Sequence, residues 1–328
     1  MFDTDSILWL QSWSSPVVTW AMVAVSILGY TRALVIFTVA IAFGWKLRVG
    51  LIVLLLIGMN AVITDVAKTS IGAPRPDAVD ARVRPIGPKV LASLQRASRL
   101  ARWLSPPREP STPEPAIDAE GRLGFPSGHV SGATVFSVAI ALLVGRRWIW
   151  GVTTVWIALM AVSRMYLGRH FFGDVVGGLA VGLMSVFIGL GVFHLRAAVQ
   201  FEPATARTRA MGVILMCALG IATVALVAGT PDSGDAGRLL GLAAGTALLS
   251  NRSGLAESPP WRVRCLRLVL AAGGFAFTWL IVMRTLQSVG SLNVTWGRLV
   301  AIALPTAVML VLPALAMRGA RSEESAQV

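Results

Sequence analysis

The chain has 328 residues, of which 55% are apolar and only 14% are charged. A soluble domain carries roughly 25% charged residues, so this composition excludes a single water-soluble globule, and it equally excludes a disordered chain or a disulfide scaffold. The net charge of +13 comes from 29 Lys and Arg against 16 Asp and Glu. Because these basic residues stand in short gaps between apolar runs, as membrane anchors do, we expect a polytopic membrane protein that binds no nucleic acid.

Nine apolar runs are long enough to form membrane helices, which need about 20 residues to cross the hydrocarbon. They occupy residues 30–46, 49–67, 129–145, 148–163, 174–195, 209–229, 237–250, 267–286 and 298–317. Residues 17–29 are also apolar, but as a helix they reach only about 20 Å. They predict an interfacial helix within an N-terminal segment 1–31, and counting them as a span would give ten crossings. The sequence therefore predicts an all-α integral membrane bundle of about nine transmembrane helices.

Residues 68–125 interrupt this pattern. The stretch is polar and rich in proline, so it cannot lie in hydrocarbon. A loop of this length is usually either functional or disordered. Within it, residues 90–104 alternate leucine with arginine, which indicates either a basic amphipathic helix on the membrane surface or a solvated helix in an extramembrane cap.

Three short motifs stand at the ends of apolar runs. They are Lys68 with Arg75 and Pro76, then Pro126-Ser127-Gly128-His129, then Ser163-Arg164 with His170 and Asp174. Either no predicted crossing or two predicted crossings separate each motif from the next. All three are therefore expected on one face of the membrane.

The residue types in these motifs suit an anion that carries several negative oxygens. Three fixed cations come from different parts of the chain, namely Lys68, Arg75 and Arg164. Arginine offers a planar fork of donors and lysine a point charge. Gly128 permits close approach of a backbone, and a helix that starts near His129 directs free N–H groups at an anion. Ser127 can add a hydroxyl donor.

The histidines provide the reactive groups. His170 and Asp174 are spaced i,i+4, so if helical they share one face. Asp174 would then hold the imidazole in one tautomer and leave the other nitrogen as a nucleophile. His129 is the remaining titratable group and would protonate the leaving oxygen. The third histidine, His194, falls at the far end of the 174–195 run, where we expect no catalytic role.

At these residues the sequence resembles the type 2 phosphatidic acid phosphatase (PAP2) superfamily, whose site is related to that of vanadium haloperoxidases. The resemblance covers residues 32–197 as a catalytic membrane core and leaves 198–328 as a C-terminal transmembrane extension. It implies catalysis by His170, His129 and Asp174 through a phosphohistidine that water hydrolyses, without a metal or another cofactor. It also implies that five residues bind the phosphate, namely Lys68, Arg75, Ser127, Gly128 and Arg164.

A phosphate site at the edge of a bilayer suits an amphiphile whose tail stays in lipid. We therefore expect hydrolysis of a lipid phosphomonoester or diphosphate, such as phosphatidate, phosphatidylglycerophosphate, an isoprenyl diphosphate or a lipid A phosphate. Nine crossings, four of which follow the three motifs, also resemble the topology of glucose-6-phosphatase. Hydrolysis of a small soluble sugar phosphate is therefore one alternative, and phosphotransfer to a lipid acceptor is another. For residues 198–328, which lack an evident inverted repeat, we expect a structural flank rather than a transporter-like module.

Charge gives an indication of orientation. The short loops opposite the motifs are crowded with Lys and Arg, which favours a cytoplasmic location for that face, although the 68–125 loop is basic too. The resemblance implies an exoplasmic site. We expect a bacterial plasma membrane protein whose site faces the periplasm or the exterior.

Overall fold

The computed structural model describes residues 2–86, 123–192, 204–227, 233–250, 260–290 and 295–325. Its helices are α1 (Asp5–Ser12), α2 (Pro16–Leu28), α3 (Thr31–Gly44), α4 (Leu47–Ile71), α5 (Pro76–Val79), α6 (Gly128–Val144), α7 (Arg147–Tyr166), α8 (Phe172–Phe187), α9 (Ala204–Val227), α10 (Ser233–Ser250), α11 (Trp261–Ser288) and α12 (Thr295–Ser325). Extended backbone pairs within these residues only at an isolated antiparallel bridge between Pro74 and Leu123. The predicted all-α class is confirmed.

Each predicted crossing coincides with one of these helices. Within the described ranges, five helices are long and apolar enough to cross a membrane singly, namely α4, α7, α8 with its π-helical continuation, α11 and α12. Helices α2 and α3 form a pair bent by 61° that would count as a sixth, broken span, and α6 has 17 residues. The polytopic membrane bundle is therefore confirmed, whereas the number of about nine crossings and the interfacial position of α2 stay predictions.

Helix α4 is the centre of the bundle. Its side chains are buried almost without interruption from Leu47 to Val62, and α3, α6, α8, α9 and α10 all pack against it. At Gly58 a Cβ would lie 3.2 Å from Leu239 and Leu242 of α10. Such close fit is what holds helices together in lipid, where the hydrophobic effect does not drive their association.

Glycines in the left-handed conformation end the two helices that carry cations of the motifs. Helix α4 continues to Ile71, so Lys68 lies in its last turn and the loop predicted to begin at 68 begins at Gly72. Gly72 has φ +66° and its N–H donates to the Lys68 carbonyl over 2.8 Å. After α7, Gly168 has φ +65°. Glycine adopts this conformation without the steric penalty of a side chain.

Helix α8 lies directly against α6 at the small residues Gly178 and Gly182. A Cβ on Gly178 would be 3.2 Å from Ser127 Cβ, and one on Gly182 would be 2.7 Å from Thr134 Cβ. This packing sets the start of α8 beside the start of α6. The predicted helix 90–104 and His194 lie outside the described residues.

Candidate active site

The first two motifs meet at one end of the bundle. The Lys68 ammonium lies 3.7 Å from the position that a Cβ on Gly128 would occupy, so the lysine side chain reaches the first residue of α6. Arg75 precedes the short helix α5, and its Nε donates to the Leu123 carbonyl over 3.1 Å. The two ends of the long loop are therefore tied together beside the start of α6.

The second motif is joined to the third by the backbone. The Ser127 N–H donates to the Asp174 carbonyl oxygen over 2.9 Å. Ser127 is the N-cap residue of α6, yet its hydroxyl accepts no capping hydrogen bond, although N-cap serines usually do so. His129 is the second residue of the same helix. The start of α6 therefore presents a hydroxyl and an imidazole together with the N–H groups that a helix N-terminus leaves without an intrahelical partner.

His170 and Asp174 contact each other, but not through a shared helix face. Helix α8 begins at Phe172, so His170 precedes it. The i,i+4 spacing would place the two residues on one face only if both were helical, and His170 is not. Asp174 stands at the third position of α8 and accepts a hydrogen bond from the Phe171 N–H over 2.9 Å. This N-terminal capping contact folds the carboxylate back toward His170, whose Nδ1 lies 3.4 Å from Asp174 Oδ2.

Arg164 enters the site from the last turn of α7. It is only 6% exposed, and its Nη1 donates to the Ser26 hydroxyl of α2 over 2.6 Å. Ser163, the other residue of this part of the motif, instead donates to the Met22 carbonyl over 2.7 Å. Ser163 therefore holds α2 against α7, whereas Arg164 belongs to the site.

The electrostatic field of the site is positive. Burial lowers the pKa of His170 well below its ordinary value, and the charges of Arg164 and Arg75 act in the same direction. The imidazole is therefore neutral at neutral pH and keeps a lone pair. Burial also lowers the pKa of Arg75 to about 10, with a further contribution from the charge of Arg169, so this guanidinium is still protonated at neutral pH.

Buried polar atoms without a partner cluster in the three motifs. In the part of the chain that the structure describes, they include Arg75 Nη1, Ser127 Oγ, His129 Nε2, Arg164 Nε and Asp174 Oδ1. His170 Nδ1 makes no hydrogen bond either, although it faces Asp174 Oδ2 at 3.4 Å. Leaving a buried donor or acceptor unsatisfied costs about 1–3 kcal/mol each, so such groups call for a ligand or another explanation. Because most of these residues are donors, the arrangement suits an anion with several oxygens.

A buried polar network beneath the site was not foreseen from the sequence. Ser131 Oγ donates to the Gly128 carbonyl over 3.1 Å and contacts Asn60 and Thr64 of α4 at 3.2 and 3.1 Å. Ser185 of α8 donates to the Asn60 side chain. The signal that could have revealed it is the i,i+4 spacing of Asn60 and Thr64 inside an otherwise apolar run, since polar groups there need partners.

The class of protein follows from a family comparison as well as from this site. Residues 49–198 match the model of the PAP2 superfamily. These bounds include all three motifs, α4 from its third residue onward, and helices α6 to α8. The chain therefore carries a PAP2 superfamily domain, and the resemblance inferred from the motifs is confirmed.

Several characterised proteins are similar to parts of the chain. Phosphatidylglycerophosphatase B of Bacillus subtilis is 35% identical over 81 residues, 22% of this chain and 40% of that protein. Lipid A 4'-phosphatase of Bacteroides thetaiotaomicron is 32% identical over 62 residues, 19% of this chain and 28% of that protein. Sphingosine-1-phosphate phosphatase 1 of Rattus norvegicus is 28% identical over 156 residues, 45% of this chain and 35% of that protein. The chain thus covers two fifths or less of each relative. No solved structure matches it.

Proposed function

We propose that the chain is a PAP2-type membrane phosphatase that hydrolyses a phosphomonoester or diphosphate of a lipid. The observation that carries this proposal is the cluster of buried, unpaired polar atoms around His170 and Asp174, at the ends of membrane helices. The names of the similar proteins supply the substrate class, because each denotes a phosphatase of a lipid or lipid-like phosphate. Phosphatidate, phosphatidylglycerophosphate and isoprenyl diphosphates are the candidate substrates.

In the first step, His170 Nε2 attacks the phosphorus atom while the bond from phosphorus to the leaving oxygen breaks. His129 donates a proton to that oxygen, and Asp174 accepts the Nδ1–H of His170 as positive charge develops on its ring. The phosphate oxygens would be held by Lys68, Arg75, Ser127, Gly128 and Arg164. A loose phosphoryl transition state spreads negative charge over three equatorial oxygens, so prearranged donors of this kind supply the main stabilisation.

In the second step, the now neutral His129 takes a proton from water. The water oxygen attacks phosphorus, the phosphorus–nitrogen bond to His170 breaks, and inorganic phosphate leaves.

Because the chain's own side chains supply every charge in this scheme, we propose a metal-independent reaction that survives treatment with EDTA. A lipid hydroxyl in place of water would make the same site a phosphotransferase, so products are to be analysed with and without a lipid alcohol.

The substrate class is tested with the purified protein in detergent. Phosphate release is measured from dioctanoyl phosphatidate, farnesyl diphosphate and glucose 6-phosphate under the same conditions. We expect the highest kcat/KM for one of the two lipids. A clear preference for glucose 6-phosphate would contradict the lipid assignment and favour the sugar phosphatase alternative.

The nucleophile is tested by separating binding from turnover. His170→Ala removes the attacking nitrogen but leaves the cations, so kcat is expected to fall about 10⁴-fold or more while orthovanadate binding persists. His194→Ala, which removes the third histidine, is the matched control and is expected to retain turnover. Steady turnover by His170→Ala would refute the role of His170.

We propose that the chain lies in a bacterial plasma membrane with the site facing the periplasm or the exterior. The test replaces Cys217 and Cys265 and then introduces one cysteine at a time. Val79, on the side of the site, is 60% exposed, and Arg146, at the opposite end of α7, is exposed too. A membrane-impermeant maleimide added to intact cells is expected to label Val79→Cys and not Arg146→Cys; the reverse pattern would place the site in the cytoplasm.

A further inference from the structure

The break between α2 and α3 reaches two of the motifs at once. The Ser26 hydroxyl accepts the hydrogen bond from Arg164 Nη1. Four residues later, the Tyr30 ring lies edge to face against the imidazole of His129, with 4.6 Å between ring centroids. Ser26 and Tyr30 both precede the PAP2 domain of residues 49–198. A segment outside the domain therefore contacts one proposed phosphate ligand and the proposed acid.

This placement is fixed by the packing of α2 on α7. Ser26 is 5% exposed, and one turn earlier the Met22 carbonyl accepts from Ser163. At Gly29 a Cβ would overlap the end of the buried Met160 side chain and would lie 3.3 Å from His129 Cδ2. The backbone at Gly29 thus passes close to His129, and the next residue is Tyr30.

The hydrogen bond to Ser26 limits the orientation of the Arg164 guanidinium in the site. In the described part of the chain no carboxylate lies within ion-pair distance of Arg164, and its Nε has no hydrogen-bond partner. A guanidinium is a planar fork, so fixing one terminal nitrogen limits the orientation of the other donors. Ser26 therefore leaves Nε and Nη2 to bind an anion in a prearranged direction, which reduces the ordering that binding requires.

We propose that Ser26 and Tyr30 are positioning residues of this site. Ser26 orients the Arg164 guanidinium for the phosphate, and Tyr30 holds the His129 imidazole in the direction of the leaving oxygen. The roles rest on the proposed phosphatase function, because they are defined relative to its phosphate and its leaving group. The two roles predict different kinetic effects.

The role of Ser26 is tested with Ser26→Ala against Thr19→Ala. Thr19 is on the same helix and makes a 2.7 Å hydrogen bond to the Tyr166 hydroxyl of α7, so its removal breaks an α2–α7 contact away from the site. Ser26→Ala is expected to weaken orthovanadate binding about tenfold, since hydrogen bonds to charged groups are the stronger kind. KM for dioctanoyl phosphatidate should rise with it. Thr19→Ala is expected to change both by less than about twofold.

The role of Tyr30 is tested with Tyr30→Leu against Tyr30→Phe. Leucine removes the ring that packs on His129 and is expected to lower kcat about tenfold, as loss of an edge-to-face pair of about 0.5–1.5 kcal/mol allows. Orthovanadate binding should fall less than kcat, because Lys68, Arg75 and Arg164 all remain. Phenylalanine keeps the ring and is expected to restore kcat.

The outcomes separate this proposal from the proposed function. Equal losses in Ser26→Ala and Thr19→Ala would overturn the role of Ser26 and leave only a structural contact. Failure of Tyr30→Phe to restore kcat, or an equal loss of orthovanadate binding in Tyr30→Leu, would overturn the role of Tyr30. A wild-type protein without phosphatase activity would refute the proposed function; orthovanadate binding, measured by calorimetry, would still decide whether Ser26 positions Arg164.

Discussion

The PAP2 domain has two helical flanks, and they contact it in different ways. The N-terminal flank, residues 2–46, reaches the end of the bundle where the motifs lie, through the side chains of Ser26 and Tyr30. The described helices of the C-terminal flank, α9 to α12, contact the domain at α4 through apolar and small residues, as at Gly58. Two segments of similar apolar composition therefore differ in their contacts with the domain, and the side chains of Ser26 and Tyr30 make the difference.

The C-terminal flank is built from close contacts between its own helices. Gly237, Gly241 and Gly245 recur every four residues along α10, and a Cβ on each would overlap or crowd α12. Such small residues let membrane helices approach closely. We propose that this flank has a structural role, rather than that of a transporter-like module.

The largest effect on activity is expected from a substitution inside the site, and the effects of substitutions in the flanks are compared with it. Arg75→Gln removes one cation and is expected to lower kcat/KM about 10²–10³-fold, as loss of a prearranged donor does. Because the cations disfavour the imidazolium form of His170, removing one raises the pKa of His170. The acid limb of the kcat/KM profile is therefore expected to move to higher pH. Both proteins are measured with the same substrate, so the ionisation of the substrate affects the two pH profiles equally. An acid limb at the same pH in wild type and variant would contradict the role of His170.

The N-terminal flank is predicted to be sensitive to added bulk. Gly29→Val would force Met160 and His129 aside, so kcat is expected to fall about ten- to a hundredfold, since small displacements of reacting groups have effects of this size. Gly273→Val is the matched control in the other flank, because a Cβ at Gly273 meets nothing within 4 Å. Equal effects of the two substitutions on kcat would remove the distinction between the flanks.

The C-terminal flank is predicted to affect stability more than chemistry. Gly241→Leu places a side chain against the Ala303 carbonyl of α12, and overpacking of this kind costs about 1–3 kcal/mol. We expect a lower thermal midpoint in detergent, with kcat per folded molecule within about twofold of wild type. A loss of kcat without a loss of stability would show that α10 influences the site.

The smallest effect is expected at the surface contact between the N-terminal flank and the long loop. Asp80 accepts hydrogen bonds from Thr4 and Arg82, and the Arg82 bonds hold the pKa of Asp80 well below its usual range. A depressed carboxyl pKa stabilises the fold above the unfolded value of about 3.9, and this contribution is lost as the pH falls through the folded-state pKa. Asp80→Asn is expected to lower the thermal midpoint by about 1 °C at pH 7, by less near pH 3, and to leave kcat unchanged. A large loss of kcat would mean that the surface tie controls the site.

Particular residues show which features of the fold and of the site can be predicted from the sequence. The nine apolar runs coincide with helices because hydrophobic length is a local property of the sequence. The ends were less predictable: α4 passes 67 because nothing in Lys68 to Ile71 opposes a helix before the glycine at 72. The contact of His170 with Asp174 was expected from helical spacing, but it arises from a capping hydrogen bond to Phe171. The motif residues do converge, because each lies at or beside a helix end and the packing of α8 on α6 brings the starts of those two helices together.

The sequence by itself determined the membrane class, the helical segments and the residue types of the site, since each of these follows from composition or from residues a few positions apart. Only the tertiary structure decided which polar side chains of apolar helices face the motifs. Ser26 and Arg164 are 138 residues apart, and no periodicity of α2 distinguishes Ser26 from Thr19, the other hydroxyl residue of that helix. Their contact exists because a buried guanidinium needs a partner and because the fold brings α2 against α7.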